Sequence, residues 1–229
     1  MDRRFNDIRP RENSMKKTLM SLMTVIALAA SFAFAPAHAE EFKEGTDYDL
    51  VNPPMPTADP AKIEVLEFFW YGCPHCYHFE PDLNAWIKSK PASVDFHRQP
   101  AVFNDQWAAH AKAFFTAEAL GVLDKLHADF YDAIQNKREK LESEEDLAKF
   151  FVAHGVAEAD FHQAYKSFAV DSNMRQASGL AAKYGITGTP ALVVNGKYVV
   201  SPGKAKSFPR MIEITNALIK KESAPAAKK

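Results

Sequence analysis

Cys73 and Cys76, separated by two residues, are the only cysteines in a chain of 229 residues. Once they pair with each other, no thiol is left over for a structural bridge, so the pair is equipped to close and reopen a disulfide. They lie in Phe68-Phe69-Trp70-Tyr71-Gly72-Cys73-Pro74-His75-Cys76-Tyr77-His78-Phe79, where an apolar run passes into a helical pattern. The free N–H groups and positive dipole end of a starting helix favour a thiolate on the first cysteine. Cys73 is therefore expected to be the nucleophile, and Cys76, one turn inside, the resolving thiol. A helix end supplies at most about 2 kcal/mol, which takes a thiol from about 8.5 to about 7. A stronger acid needs further donors, and His75 between the cysteines can give the Cys73 sulfur a hydrogen bond or a charge. Each unit of thiolate stabilisation also favours the reduced form, by roughly 30 mV for a two-electron couple, so this arrangement pushes toward an oxidant.

Two other places carry candidate chemistry. Glu67, six residues before Cys73, interrupts the apolar run 63–70. A carboxylate there is costly unless paired or protonated, and it could accept the Cys76 proton when a mixed disulfide resolves. The plainer alternative is a partly exposed carboxylate on an edge strand. Thr189-Pro190 precedes a later strand; a cis bond would turn the Thr189 amide and carbonyl outward to hold an extended substrate strand beside the thiols. Spacing alone favours the commoner trans loop proline. A metal reading would join Cys73, Cys76, His75 and His78, but a structural zinc site draws on a second ligand pair and no other cysteine exists. No metal is expected, and no cofactor beyond a redox-active Cys73–Cys76 disulfide. His97, His110, His127, His154 and His162 are scattered and are given surface or core roles.

The elements that must hold these residues can be followed along the chain. Residues 48–51 suggest a short edge strand, followed by a proline-rich extended loop over 52–60. Residues 63–70 read as a buried strand, residues 73–88 as a helix with Phe79, Leu83, Trp86 and Ile87 on one stripe and a kink at Pro81, and residues 94–97 as a second strand. That order is a βαβ unit. About five helices are expected over 104–185. Gly121, Gly155 and Gly185 act as stops, Ser143 with Asp146 forms a capping box, and Phe161, Tyr165 and Phe168 are placed in the core ahead of a last helix running from Val170 to Tyr184. Strands return at 191–194 and 197–200 around Asn195-Gly196, the favoured dipeptide of a type I′ hairpin. Ser207 and Pro209 open a final helix carrying Met211, Ile212, Thr215, Leu218 and Ile219, and residues 220–229 are expected to fray.

The front of the chain reads as an address. Lys16-Lys17 precede an apolar run over 19–34, and Ala37-His38-Ala39 offers small residues for cleavage, the pattern of a secretory signal peptide. The run is shorter than the roughly 20 residues of a spanning helix. Residues 1–14 lengthen such a signal, and Met15 is the expected translation start. Without residues 1–39 the chain keeps 22 basic and 26 acidic side chains, a net charge of −4, which suggests no nucleic-acid partner. Export also sets a compartment in which disulfides persist.

Phe68-Phe69 followed by Cys73-Pro74-His75-Cys76, with Gly188-Thr189-Pro190 ahead of Asn195-Gly196-Lys197-Tyr198, closely resembles the DsbA family of periplasmic disulfide oxidoreductases, in an element order that covers nearly all of the mature chain. The resemblance implies an α/β protein with a thioredoxin fold interrupted by an all-helical domain. Its parts would be a leader (1–39), a first thioredoxin segment (40–103), a helical insertion (104–178), and a second thioredoxin segment with a tail (179–229). It further implies that Cys73, Pro74, His75 and Cys76 form the catalytic motif, that His75 tunes potency, that Pro190 is cis with Thr189 before it, and that Glu67 is the buried acid. Arg98 falls where the family often places a lysine near that acid.

On this reading the chain is a monomeric periplasmic enzyme that donates its disulfide to unfolded exported proteins and is re-oxidised by a membrane quinone-linked, DsbB-like partner. A reductase or isomerase is the near alternative, although residues 40–60 are too short for the additional N-terminal domain of periplasmic isomerases. A distant alternative is a chaperone-like binding module that uses the apolar surface near Trp70, Tyr71 and Pro190 around a static disulfide.

Overall fold

Strand β2 (Ile63–Phe69) is the axis of the molecule, because alternation of side chains along it feeds three cores at once. Ile63 and Val65 point toward one layer of helices, Leu66 and Phe68 toward the opposite face, and Phe69 reaches the helical insertion. The structure, a computed structural model, describes residues 41–223, so the expected leader and residues 224–229 of the tail lie outside the described part.

Five strands form one mixed sheet in the order β1-β5-β4-β2-β3, with β1 Asp49–Leu50, β3 Val94–Pro100, β4 Ala191–Val194 and β5 Tyr198–Val200. Only β2 and β3 run parallel, joined over helix α1 (Pro74–Ser89); the other pairs are antiparallel. The βαβ unit is thus present, with β3 three residues longer than the alternation at 94–97 predicts. Gly196 (φ 65°) and Asn195 (φ 51°) supply the two positive φ angles of the β4–β5 turn, and a Cβ at Gly196 would stand 2.1 Å from the Met55 carbonyl oxygen.

Helices α1 and α9 (Phe208–Ser223) cover one face of the sheet. Phe79, Leu83 and Trp86 of α1 and Met211, Ile214 and Leu218 of α9 close over Val65, Leu192 and Val194. Trp86 also donates its indole N–H to Asn216 at 2.8 Å, which ties the two helices. Between β3 and β4 run α2 (Asp105–Ala119), α3 (Leu123–Gln135), α4 (Glu144–Ala153), α5 (Glu158–Tyr165), α6 (Phe168–Ala177) and α7 (Leu180–Lys183). Phe114, Leu126, Phe130, Phe150, Phe151 and Phe161 form the core of this layer, and Cys73 and Cys76 sit at its edge. Ser143 caps α4 as expected, accepting from the Asp146 amide at 3.1 Å while donating to the Asp146 carboxylate at 2.7 Å.

Three expectations fail here for identifiable reasons. Phe168 does not continue the Phe161–Tyr165 stripe: Ser167 caps a new helix, and Phe168 at its first position is 80% exposed. The stripe from Val170 to Tyr184 is two helices, because Gly179 breaks it with φ 81°. The chain end is not frayed from residue 220, since α9 continues to Ser223 and Glu222 accepts from Asn195 (2.7 Å), Lys197 and Tyr198 (2.8 Å), anchoring the helix to the hairpin. A short helix α8 (Pro202–Ala205) was also not foreseen.

Candidate active site

Helix α1 begins on the first cysteine. Cys73 is its N-cap residue in extended conformation (φ −86°, ψ 114°), and Pro74 follows at the first helical position, where no amide hydrogen is required. Gly72 makes the approach possible: a Cβ there would lie 2.2 Å from the Trp70 ring, which is stacked 4.3 Å from Trp107. Both sulfurs are free thiols.

The two thiols stand in different surroundings. Cys73 is 8% exposed and Cys76 is fully covered. The Cys76 side chain lowers the Cys73 thiol most; burial opposes it, and the Thr189 side chain and the Cys76 and His75 amides add to the lowering, which brings the thiol to about 5. Burial and the neighbouring Cys73 sulfur instead push the Cys76 thiol well above the ordinary range. Donors beyond the helix end therefore do act, as the acidity limit requires. His75, however, contributes its backbone amide; its imidazole is exposed and makes no hydrogen bond among the described residues.

The Thr189–Pro190 bond is cis, against the base rate and as the resemblance implies. Its placement lays the Thr189 carbonyl 3.3 Å from the Cys73 sulfur, which donates to it as a thiol. Pro190 itself is buried.

Glu67 is fully buried and not an edge-strand group, because β2 is flanked by β3 and β4. Alternation puts it on the same face as Val65, toward α1. Parallel pairing sets it directly across from Arg98, whose Nε lies 3.3 Å from Glu67 Oε2. The contact is close but misaligned, since neither Glu67 oxygen nor Arg98 Nε completes a hydrogen bond. Burial, with Glu80 adding to it and Arg98 opposing, raises the Glu67 carboxyl to about 8. At neutral pH it is a neutral acid.

From Arg98, which the resemblance already placed near the acid, a set of residues given no role in the site by sequence reasoning extends outward. Arg98 Nη2 donates to Glu80 Oε2 at 3.0 Å and Asn84 Oδ1 at 3.0 Å, Glu80 Oε1 lies 3.4 Å from His127 Nε2, and His127 Nδ1 lies 2.8 Å from the Tyr71 hydroxyl. Gln135 donates to the Tyr71 carbonyl at 2.7 Å, so α3 grips the chain two residues ahead of Cys73. Glu80 and His127 are 47 positions apart and carry no spacing signal; only the packing of α3 on α1 joins them. His97 and His162 are surface groups, whereas His110 is buried and donates its Nε2 hydrogen to the Lys140 carbonyl (2.9 Å). Among the described residues no group of three His, Cys, Asp or Glu side chains is arranged to hold a metal.

A family model for the DSBA-like thioredoxin domain matches residues 92–208. The thiol:disulfide interchange protein DsbA of Pseudomonas syringae pv. tomato is 40% identical over 205 residues, covering 90% of this chain and 96% of that protein. The protein of the same name from Pseudomonas aeruginosa is 40% identical over 207 residues, covering 90% and 98%. Among solved structures, Pseudomonas aeruginosa DsbA superposes with a TM-score of 0.76 at 40% identity over 79% of this chain and 94% of that one. The oxidoreductase DsbA of Xylella fastidiosa gives 0.75 at 33% identity over 82% and 100%.

Proposed function

We propose, from the premise that this chain belongs to the family of DSBA-like thioredoxin domains, that it oxidises unfolded exported proteins by handing them the Cys73–Cys76 disulfide. The chain is a protein disulfide oxidoreductase with a thioredoxin fold. The observation that carries the direction of the reaction is the asymmetry of the two sulfurs: Cys73 at the helix start among donors, Cys76 buried beneath it. A sulfur that is stabilised as an anion makes a good leaving group and a poor disulfide partner, so the dithiol is the favoured state and the disulfide is readily given up.

In the forward step a substrate thiolate attacks Sγ of Cys73 in the oxidised pair. The Cys73–Cys76 bond breaks, its electron pair leaves on the Cys76 sulfur, and Glu67, a neutral acid at pH 7, would supply the proton that Cys76 requires. A second substrate thiolate then attacks the substrate sulfur of the mixed disulfide and expels Cys73 as a thiolate. In re-oxidation Cys73 attacks the disulfide of a partner, and Cys76 resolves the mixed disulfide after passing its proton to Glu67, which must first release its own to solvent. Thr189 and cis-Pro190 would hold the substrate segment as an added strand next to Cys73, with the Thr189 carbonyl, released once the thiol hydrogen is gone, as one acceptor.

The substrate class, a membrane quinone-linked re-oxidase, a monomeric working state and a periplasmic location complete the proposal. They are supported by the signal-like pattern over residues 16–39, which lies outside the described residues, and by family membership. Among the described residues no helix is long and apolar enough to cross a membrane. Incubating the oxidised protein with a reduced, unfolded dithiol substrate tests the reading. Stoichiometric loss of substrate thiols, abolished in Cys73→Ser, is the expected result. Holding of the substrate with no loss of thiols would instead identify a binding module.

A further inference from the structure

Arg98 is one cation between two buried or nearly buried carboxyl groups, and it is divided unequally. All its aligned bonds go through Nη2 to Glu80 (3.0 and 3.3 Å) and Asn84 (3.0 Å), while Nε faces Glu67 at 3.3 Å without completing a hydrogen bond. Two neighbours keep Glu80 in place to claim the guanidinium: Asn84 on its own helix donates Nδ2 to Oε2 at 2.9 Å, and a second hold comes from the helical insertion. His127 on α3 presents Nε2 to Glu80 Oε1 at 3.4 Å, and its other nitrogen meets the Tyr71 hydroxyl at 2.8 Å. Burial keeps His127 neutral, and Glu80, whose carboxyl is held below its ordinary range, can only accept, so the hydrogen of the ring sits on Nε2, aimed at Glu80, and the Tyr71 phenol donates to Nδ1. The ring is fixed further by edge contacts to Phe69 (5.5 Å) and Tyr131 (5.1 Å).

We propose that His127 is a positioning residue for the thiol chemistry: with Asn84 it anchors Glu80, Glu80 captures Arg98, and Glu67 is thereby left without an aligned cationic partner. The inference rests on the disulfide-exchange reading for the use made of Glu67, but not for the linkage itself. An ion pair in an apolar interior strongly favours the charged carboxylate, so where Arg98 points decides whether Glu67 carries a proton at pH 7. The other groups that bear on His127 are Asp124 on its own helix and Arg98 on β3, alongside Glu80 on α1 and Tyr71 ahead of it. Those that bear on Glu67 are Glu80, Arg98 and Cys73, while Cys76, Tyr71 and Tyr131 respond to its charge in turn.

The test is a carboxyl carbon NMR titration of the full reduced protein labelled in glutamate, with the Glu67 signal identified by its loss in Glu67→Gln. The comparison is between the unaltered protein, His127→Phe, which keeps the ring packing, and His127→Gln, which can still donate to Glu80. In His127→Phe the proton affinity of Glu67 should fall about tenfold or more as Arg98 turns to it, and His127→Gln should restore the original midpoint. An unchanged Glu67 midpoint in folded His127→Phe overturns the proposal, and so does a midpoint in His127→Gln that falls as far as in the phenylalanine variant. If His127→Phe does not fold, nitrogen NMR of the unaltered protein decides: hydrogen on Nε2 supports the linkage, and hydrogen on Nδ1 alone overturns it. These readouts involve no turnover, so a failure of the oxidase reading would appear only in the substrate assay.

Discussion

At the scale of single residues, the site works by holding two groups far from their ordinary protonation. Glu67 is the clearer energetic case, because it is fully buried with no aligned partner. Its carboxyl is raised to about 8 in the fold, so the native state binds a proton that the unfolded chain has lost. The contribution of that group is fully present below the unfolded value near 4.5 and is lost as pH rises toward 8. Glu67→Gln removes the liability: its stability should match the unaltered protein below that window and exceed it at pH 7 by about 2–3 kcal/mol, as measured by denaturant unfolding at several pH values. Equal stabilities at pH 7 would show that the carboxylate is better compensated than its surroundings indicate. Cys73 shifts in the opposite sense, and its lowering exceeds what a helix end supplies. The excess comes chiefly from the Cys76 thiol, while the His75 and Cys76 amides are the helix end itself.

At the scale of elements, the turn and the helix start are the places where sequence speaks most directly. Asn195-Gly196 marks the hairpin because only this kind of dipeptide accepts two positive φ angles, and the turn also buries itself against Met55. Gly196→Ala should therefore cost about 1–3 kcal/mol of stability in a thermal or denaturant melt, since the added methyl meets backbone and not a side chain that could move. A loss under a few tenths of a kcal/mol would mean that the 52–60 loop gives way easily. The strand at 63–69, the helix from Cys73 and the cap at Ser143 were legible for the same reason: each has a local signal that fixes a backbone geometry. Phe168 misled because an aromatic at helical spacing was read through a cap at Ser167, and the break at Gly179 was hidden within an unbroken apolar stripe. Within the site, Cys73, Cys76, Glu67 and Thr189–Pro190 were readable from motif and resemblance. Glu80, His127 and Tyr71 were not, because their meeting depends on how α3 packs against α1, and no local pattern encodes that packing.

At the scale of the whole molecule, the redox state of the pair and the stability of the fold are one quantity seen from two sides. Cys73 in the folded dithiol ionises at about 5, while in the unfolded chain it behaves as an ordinary thiol near 8.5. A group depressed in this way adds stability to the reduced protein that is fully present above about 8.5 and is lost as pH falls through about 5. The oxidised protein has no thiolate and gains none of it. The reduced form should therefore unfold at the higher temperature at pH 7 to 8, and the gap between the two forms should narrow steadily as pH is lowered toward 5 in paired calorimetric scans. A gap that is constant with pH, or an oxidised form that is the more stable at pH 8, would separate stability from the thiolate. By the same cycle the couple is shifted by several tens of millivolts toward oxidant, once solvent screening at a thiol that opens to the surface is discounted.

The central claim is that the Cys73 sulfur is an anion at neutral pH in the folded dithiol. It is tested most directly by following thiolate absorbance near about 240 nm through a pH titration of the reduced protein, with Cys73→Ser as the blank. A transition centred near pH 5 that is missing from Cys73→Ser is the predicted result. A midpoint near the ordinary value of about 8.5 would contradict the account.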